Sequence, residues 1–201
     1  MIGKSLFVGD QIEWTALDPE KDAEELSLWT RDLQFSGTLF EKPARPYAVF
    51  EVKKKLKENL KAADEKRNAY IFAIRKKGGN ELVCLLRFGW IQPSQQVARL
   101  FLNFASIQTM QEFGREVLSM ALRYGFMELS LHRIWLEVSG YRVEEMQLFE
   151  EAGFLRETQR REASYIDGHY YDQMVYSILK PEWKKLREQA VVEMKQVEVA
   201  A

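Results

Sequence analysis

The sequence contains a single cysteine, Cys84, among its 201 residues. One cysteine cannot build an intramolecular disulfide framework or a zinc site of the Cys-x-x-Cys type. Cys84 stands in the apolar run LVCLL, which favours a small buried hydrophobic residue over a reactive or metal-binding one. We therefore expect a fold that needs neither disulfides nor a metal ion.

Other features that are missing exclude further classes. No apolar run approaches the roughly 20 residues of a membrane span, and the first residues lack the apolar segment of a signal peptide. The formal net charge is -1, so no bulk attraction to nucleic acid or to an anionic membrane is expected. The sequence thus predicts a cytoplasmic protein with no membrane partner and no nucleic-acid partner.

The composition that remains is that of a folded protein, with 46% hydrophobic and 12% aromatic residues. No linker, repeat or low-complexity tract divides it. We predict one domain over residues 1–181 and a helical tail over residues 182–201, which would cover the protein's own core or form a homodimer. The tail's apolar stripe consists of Trp183, Leu186, Ala190, Met194 and Val197.

In the first half, Asp18 followed by Pro19 predicts a helix that is capped by the aspartate and begins at the proline. A second helix is predicted over residues 48–67, and it is rich in lysine. Its lysines suggest either a nucleic-acid surface or a solvated helix face. The interleaved acidic residues favour the solvated face.

Residues 69–74, 81–90 and 97–104 are predicted to form an antiparallel meander. An amphipathic helix follows, with one apolar stripe. After it come a strand over residues 133–138, a short helix that ends at Gly153, and two closing strands. The class is therefore a mixed α/β sheet. The helix stripe consists of Phe113, Val117, Met120, Ala121 and Tyr124.

Longer segments carry a family resemblance. LRYGFMELSLHRIWLEV resembles the long helix and following strand of the GNAT superfamily, in its ribosomal-protein and aminoglycoside-type N-acetyltransferase branch. LFEEAGFLRE resembles the next helix of that branch, and RREASYIDGHYYDQMVYSIL followed by KPEW resembles its closing strand pair. The resemblance implies the GNAT fold, a mostly antiparallel central sheet with a splayed parallel strand pair, flanked by helices.

The resemblance also implies a function. The protein would use acetyl-CoA as cosubstrate and move the acetyl group directly to a primary amine, on an amine-bearing small molecule or a peptide N-terminus. The pantetheine arm would pair with the edge of residues 102–106, and the diphosphate would bind at the start of the long helix. The implied cofactor-binding residues are Phe104, Ser106, Met110, Gln111, Phe113, Gly114, Arg115, Arg142 and Phe149.

The sequence departs from the family at four of its functional positions. Met110 and Glu112 stand where glycines are usual in the cofactor loop, Arg142 stands where an asparagine is usual, and Phe149 replaces a proton-donating tyrosine. An alternative hypothesis is therefore a catalytically degenerate GNAT-fold module for binding or assembly. Thr109 with Glu112 also matches a capping box, which would use helix amides that a diphosphate needs.

No catalytic residue is identified by the sequence. The polar residues Asn103, Ser106 and Tyr141 are candidates for a cleft, although each fits a structural role better. Structural roles are also favoured for His132, for His169 at a hairpin tip, for Asp172 in a strand and for the charged group over residues 160–162.

Overall fold

The computed structural model describes residues 5–32 and 45–189. They belong to two compact units, one within residues 1–92 and 99–121 and the other within residues 93–98 and 122–201. None of the helices in the described ranges is long and apolar enough to cross a membrane. The predicted tail stripe beyond residue 189 lies outside the described residues.

The described part of the first unit contains the strands β1 (Ile12–Ala16), β2 (Tyr70–Lys76), β3 (Leu82–Gln92) and β4 (Val97–Phe104). The first two residues of β4 belong to the second unit. The strands lie side by side in the order of the chain. β1 pairs antiparallel with β2, and β2 pairs antiparallel with β3. This arrangement confirms the predicted meander, with Cys84 fully buried in β3.

Among the described residues, these strands are accompanied by the helices α1 (Pro19–Trp29), α2 (Val49–Lys66) and α3 (Ile107–Arg123), the last with its final two residues in the second unit. The Asp18 side chain accepts a hydrogen bond from the Glu20 amide, as the sequence predicted for the start of α1. Lys53 and Lys57 of α2 both form ion pairs with Glu20. Part of the lysine-rich face therefore joins α2 to α1.

One face of the first unit's strands packs beneath α1 and α2. Apolar residues of both helices form a core there with residues of β2 and β3, and Ala105 packs against it at the end of β4. Because side chains alternate along a strand, the odd-numbered residues of β4 lie on the same face as Ala105. The buried members of the core are Leu17, Ala23, Leu26, Trp29, Val52, Leu56, Ala73, Leu82 and Leu85.

The second unit contains β5 (Arg133–Ser139), α4 (Val143–Glu151), β6 (Leu155–Ile166) and β7 (His169–Leu179). Here β7 lies in the middle and pairs antiparallel with both β5 and β6. The even-numbered residues of β5 are buried, as predicted. A short π-helical segment after α3, which the periodicity did not predict, carries the chain towards β5.

Two local features of the second unit were also anticipated. Gly153 follows α4 with φ at +91°, the left-handed conformation expected of a helix C-terminus. Residues 180–189 are helical, and Trp183 is buried with its ring 5.1 Å from that of Phe126. The first turns of the predicted tail therefore pack on the protein's own core.

Candidate active site

The first group of predicted site residues lies where β4 ends and α3 begins. Ser106 caps α3: its Oγ accepts a hydrogen bond from the Thr109 amide at 3.1 Å, and its carbonyl oxygen accepts one from the Met110 amide at 3.0 Å. The amides of Ile107 and Gln108 make no hydrogen bond to another described residue. The start of α3 therefore presents two donors and the positive end of the helix dipole.

The predicted capping box of Thr109 and Glu112 is wrong. Since α3 begins at Ile107, Thr109 is its third residue, and its hydroxyl contacts the Ser106 hydroxyl at 2.9 Å. Glu112 is exposed and makes no hydrogen bond to a described residue. The charge of Glu112 acts instead on Lys76: the pKa of Lys76 is raised mainly by its hydrogen bond to Glu81, and Glu112 adds to that shift.

The predicted cofactor residues of α3 divide into buried and exposed positions. Met110, Phe113 and Gly114 are buried, whereas Gln111 and Arg115 are exposed. Without the expected glycines, the backbone is already helical from Ile107 onward, and the Met110 amide bonds back to Ser106. Phe104, the last residue of β4, is also buried.

Arg142 and Phe149 lie in the second unit, and their sharing a ligand with the first group stays a prediction. Arg142 is buried at the start of α4, with its Nη1 2.7 Å from Glu145 Oε1 and its Nε donating to the Tyr141 hydroxyl at 3.2 Å. Burial by itself would lower the pKa of Arg142, but these two partners outweigh it and raise the pKa. The chain therefore supplies this arginine with its own carboxylate.

Phe149 packs in an aromatic group with Phe154 and Tyr176. The Tyr176 hydroxyl donates a hydrogen bond to Glu150 Oε1 at 2.8 Å. Burial and this hydrogen bond raise the pKa of Tyr176 to about 12. The nearby tyrosine is therefore a neutral donor tied to Glu150, and it does not restore the proton donor that Phe149 lacks.

The remaining polar candidates of the second unit have structural contacts. His132 is exposed, and its backbone bonds to Gln96 and Lys180. His169 lies at the tip of the β6–β7 hairpin, with Nδ1 2.7 Å from the Asp167 oxygen. Asp172 accepts hydrogen bonds from the Glu162 amide and the Gln159 side chain, as expected of a strand residue tied to neighbouring backbone.

A polar group that sequence reasoning did not assemble lies on the face of the first unit that packs beneath α1 and α2. The Arg87 guanidinium carbon is 3.9 Å from the centre of the Phe101 ring, and that of Arg99 is 4.4 Å from it. Asn103, two residues further along β4, is buried, and its Oδ1 has no hydrogen-bond partner among the described residues. The signal in the sequence was one arginine within each of two otherwise mainly apolar strands, Arg87 in β3 and Arg99 in β4.

No group of histidine, cysteine and acidic side chains in residues 5–32 and 45–189 is arranged to hold a metal ion.

Comparisons with known proteins agree with this architecture. The sequence model of the acetyltransferase (GNAT) domain family matches residues 18–175 of this chain. Spermidine N(1)-acetyltransferase of Vibrio cholerae is 29% identical over 127 residues, which are 63% of this chain and 71% of that protein. YdaF of Bacillus subtilis, named as a ribosomal N-acetyltransferase, is 32% identical over 75 residues, covering 35% of this chain and 41% of its own.

Among solved structures, spermidine N-acetyltransferase from Vibrio cholerae in complex with CoA and spermine superposes with a TM-score of 0.72. The match covers 86% of this chain and 98% of that one at 24% sequence identity. The predicted GNAT fold is thereby confirmed.

Proposed function

Because the chain belongs to the acetyltransferase (GNAT) family, we propose that it is an acetyl-CoA-dependent N-acetyltransferase that moves an acetyl group to a primary amine by direct transfer. Acetyl-CoA is the cosubstrate of GNAT acetyltransferases. The acceptor would be an amine-bearing small molecule or a peptide N-terminus. The acetyltransferase named for spermidine among the relatives supports the amine class, without carrying its particular substrate over to this chain.

The observation that carries the proposal is the start of α3. Ser106 satisfies the Thr109 amide, which leaves the amides of Ile107 and Gln108 as donors at the positive end of the helix. This pair of amides fits a diphosphate. Glu112 lies five residues after Ile107, about 7.5 Å further along the helix axis, and does not bond to these amides.

The other members of the proposed cofactor-binding set have roles that follow from their burial. Exposed Gln111 and Arg115 are polar side chains on the first turns of α3. The buried side chains hold the backbone of the helix start in place rather than bind anions. This second kind comprises Phe104, Met110 and Phe113. Phe149, in the other unit, packs instead on Phe154 and Tyr176.

Direct transfer places modest demands on the chain. Bound acetyl-CoA supplies an activated thioester. The neutral acceptor amine forms a bond to the acetyl carbon, the carbon–sulfur bond breaks, and the amine proton passes through water to the departing sulfur. Holding the amine in position provides most of the rate, so the phenylalanine at position 149 does not prevent the reaction.

A proline substitution tests the helix start directly. Ile107 is the first helical residue, where proline is tolerated because its nitrogen needs no intrahelical partner. Ile107→Pro removes one of the two donors, whereas Ile107→Ala removes the same side chain but keeps the amide. Calorimetric titration with acetyl-CoA should give an affinity about tenfold lower for Ile107→Pro than for Ile107→Ala.

The titration is combined with release of free CoA thiol in the presence of a panel of primary amines. Acetyl-CoA binding with amine-dependent thiol release supports the enzyme. Failure of the wild-type protein to bind acetyl-CoA at near-physiological concentration would contradict the proposed acetyltransferase activity. Equal affinities of the two variants would place the diphosphate elsewhere.

A second candidate function is a GNAT-fold binding or assembly module without catalysis. It is favoured by the observation that Met110 is buried in a helix that begins at Ile107. The Met110 amide is therefore bonded within the chain, whereas a glycine loop would present it to the diphosphate. Binding of acetyl-CoA without thiol release from any amine supports this candidate. Efficient turnover by the wild-type protein rules it out, and a gain of turnover in Met110→Gly/Glu112→Gly would show which residues suppress it.

A further inference from the structure

Three side chains on the first unit's sheet form a positive cluster, defined here as Arg87, Phe101 and Arg99. Both guanidinium carbons lie within 4.4 Å of the centre of the same ring. Alternation along β4 places Phe101 and Arg99 on the same face as Ala105, which packs against the core beneath α1 and α2. The positive cluster therefore lies on the helix-covered face of the sheet.

Gly89 makes room for this arrangement. A β-carbon at Gly89 would lie 3.1 Å from Cε2 of Phe101 and 3.6 Å from Nε of Arg87. A β-carbon would therefore crowd the ring, while it would make only an ordinary van der Waals contact with the guanidinium. The ring lies where it does because the neighbouring strand contributes only backbone.

The charge of Arg87 is not balanced by the described part of the chain. Arg87 is half-buried and forms no ion pair with a carboxylate among residues 5–32 and 45–189. Burial lowers the pKa of Arg87, and the nearby charge of Arg99 lowers it further. Arg75 in the same unit differs, because its Nη2 lies 2.6 Å from Oδ1 of buried Asp22.

Asn103 provides a second, independent observation. Its side chain is 7% exposed, and Oδ1 is buried without a hydrogen-bond partner in the described residues. A buried acceptor with no donor costs about 1–3 kcal/mol, which a ligand donor would recover. Asn103 lies two residues from Phe101 on the same strand face, a separation of about 7 Å.

We propose that the acyl acceptor carries an anionic group, a carboxylate or a phosphate, which binds Arg87 beside Phe101 while its amine donates to Asn103 Oδ1. This inference rests on the proposed function, because the amine in question is the one that receives the acetyl group. The distance between cluster and amide matches a compact amino acid or aminophosphate. Polyamines, which are positively charged along their length, are repelled by Arg87.

Four small amines with similar carbon chains test the charge preference. They are γ-aminobutyrate, aminopropylphosphonate, butylamine and putrescine, which carry a carboxylate, a phosphonate, no second charge and a second positive charge. We expect kcat/KM with acetyl-CoA to be at least about tenfold higher for an anionic amine than for putrescine. The better of the two anionic amines identifies the group that is bound.

Variants locate the preference in the positive cluster. Arg87→Met should raise the KM of the preferred anionic amine about tenfold, change kcat less than about twofold, and leave the KM of butylamine unchanged. Lys54→Met, an exposed substitution in the same unit with the same change of charge, should leave all three values unchanged. Arg87→Lys should recover part of the affinity, because it restores the charge but not the planar fork.

A binding measurement separates this proposal from the proposed function. The Nε–H resonance of Arg87 is identified in a nitrogen-15 spectrum by its loss in Arg87→Lys, and the wild-type protein is titrated with each amine without acetyl-CoA. A saturable shift with an anionic amine but not with butylamine or putrescine supports the anion site, even if no amine is acetylated. Turnover without such a shift, or a faster reaction with putrescine, would overturn the proposal and leave the acetyltransferase standing.

Discussion

Arg142 in the second unit is buried and Arg87 in the first is half-buried, each beside an aromatic ring, yet their electrostatics differ. Arg142 has the Glu145 carboxylate at 2.7 Å, and its pKa is raised despite burial. Arg87 has no such partner among the described residues, and burial together with Arg99 lowers its pKa. An arginine paired within the chain serves the fold, whereas one left without a carboxylate is suited to an anion from outside.

The start of α3 shows the same contrast in backbone groups. The Thr109 amide is bonded to the Ser106 side chain at 3.1 Å, whereas the amides of Ile107 and Gln108 are left as donors. Groups that have a partner within the chain should contribute to stability. Groups that have none among the described residues should contribute to ligand binding.

The largest effect is expected when the partner of Arg142 is removed. Glu145→Ala leaves a buried guanidinium without its carboxylate, and should lower the free energy of unfolding by about 3 kcal/mol in chemical denaturation. Glu144→Ala, which changes the exposed neighbouring glutamate, should change it by less than about 0.5 kcal/mol. Equal losses in the two variants would show that Glu145 does not stabilise Arg142.

A smaller loss is expected at the cap of α3. Ser106→Ala removes the hydrogen bond to the Thr109 amide and should lower the free energy of unfolding by about 1 kcal/mol. Ser119→Ala, at an exposed position of the same helix, serves as the matched control and should have almost no effect. A fully stable Ser106→Ala protein would mean that the cap contributes nothing.

No loss of stability beyond about 0.5 kcal/mol is expected when Arg87 is replaced. Arg87→Met removes a desolvated charge close to that of Arg99, so the free energy of unfolding should stay within about 0.5 kcal/mol of wild type or rise. Arg75→Met should destabilise strongly, because it leaves the buried carboxylate of Asp22 without its partner. If the two arginines proved equally important for stability, Arg87 would have a structural partner.

The smallest effect concerns pH. The hydrogen bond from Arg133 lowers the pKa of Glu157 below its ordinary 4.5, against a smaller opposing effect of burial. A carboxylate with a lowered pKa stabilises the fold above its unfolded pKa, and this contribution is lost as the pH falls through the folded value. Because the pair is partly exposed, we expect only a few tenths of a kcal/mol.

Glu157→Gln should therefore unfold slightly more easily than wild type at neutral pH. The difference between the two proteins should shrink as thermal unfolding is repeated in increasingly acidic buffer, well below the ordinary carboxyl pKa. A difference that stayed constant with pH would assign the effect to packing instead of charge.

Features set by neighbours along the chain were predictable. Asp18 with Pro19 defined the start of α1, Gly153 defined the end of α4, and the alternation of β5 identified its buried face. Each depends on capping chemistry or periodicity within a few residues. The prediction at Thr109 failed for a related reason, because a capping box identifies a local possibility but Ser106, three residues earlier, provides the actual cap.

By itself, the sequence determined the α/β class, the order of helices and strands, and the membership of the acetyltransferase family, since these depend on periodicity and on contiguous motifs. Only the tertiary structure decided which charges have partners. Arg87 and Gly89 lie on β3, and the ring of Phe101 meets the arginine from the neighbouring strand β4, close to the glycine. Arg142, by contrast, meets Glu145 within one helical turn. Strand pairing brings together residues that are distant in the chain, so the charge balance at a site follows from contacts that no local pattern records.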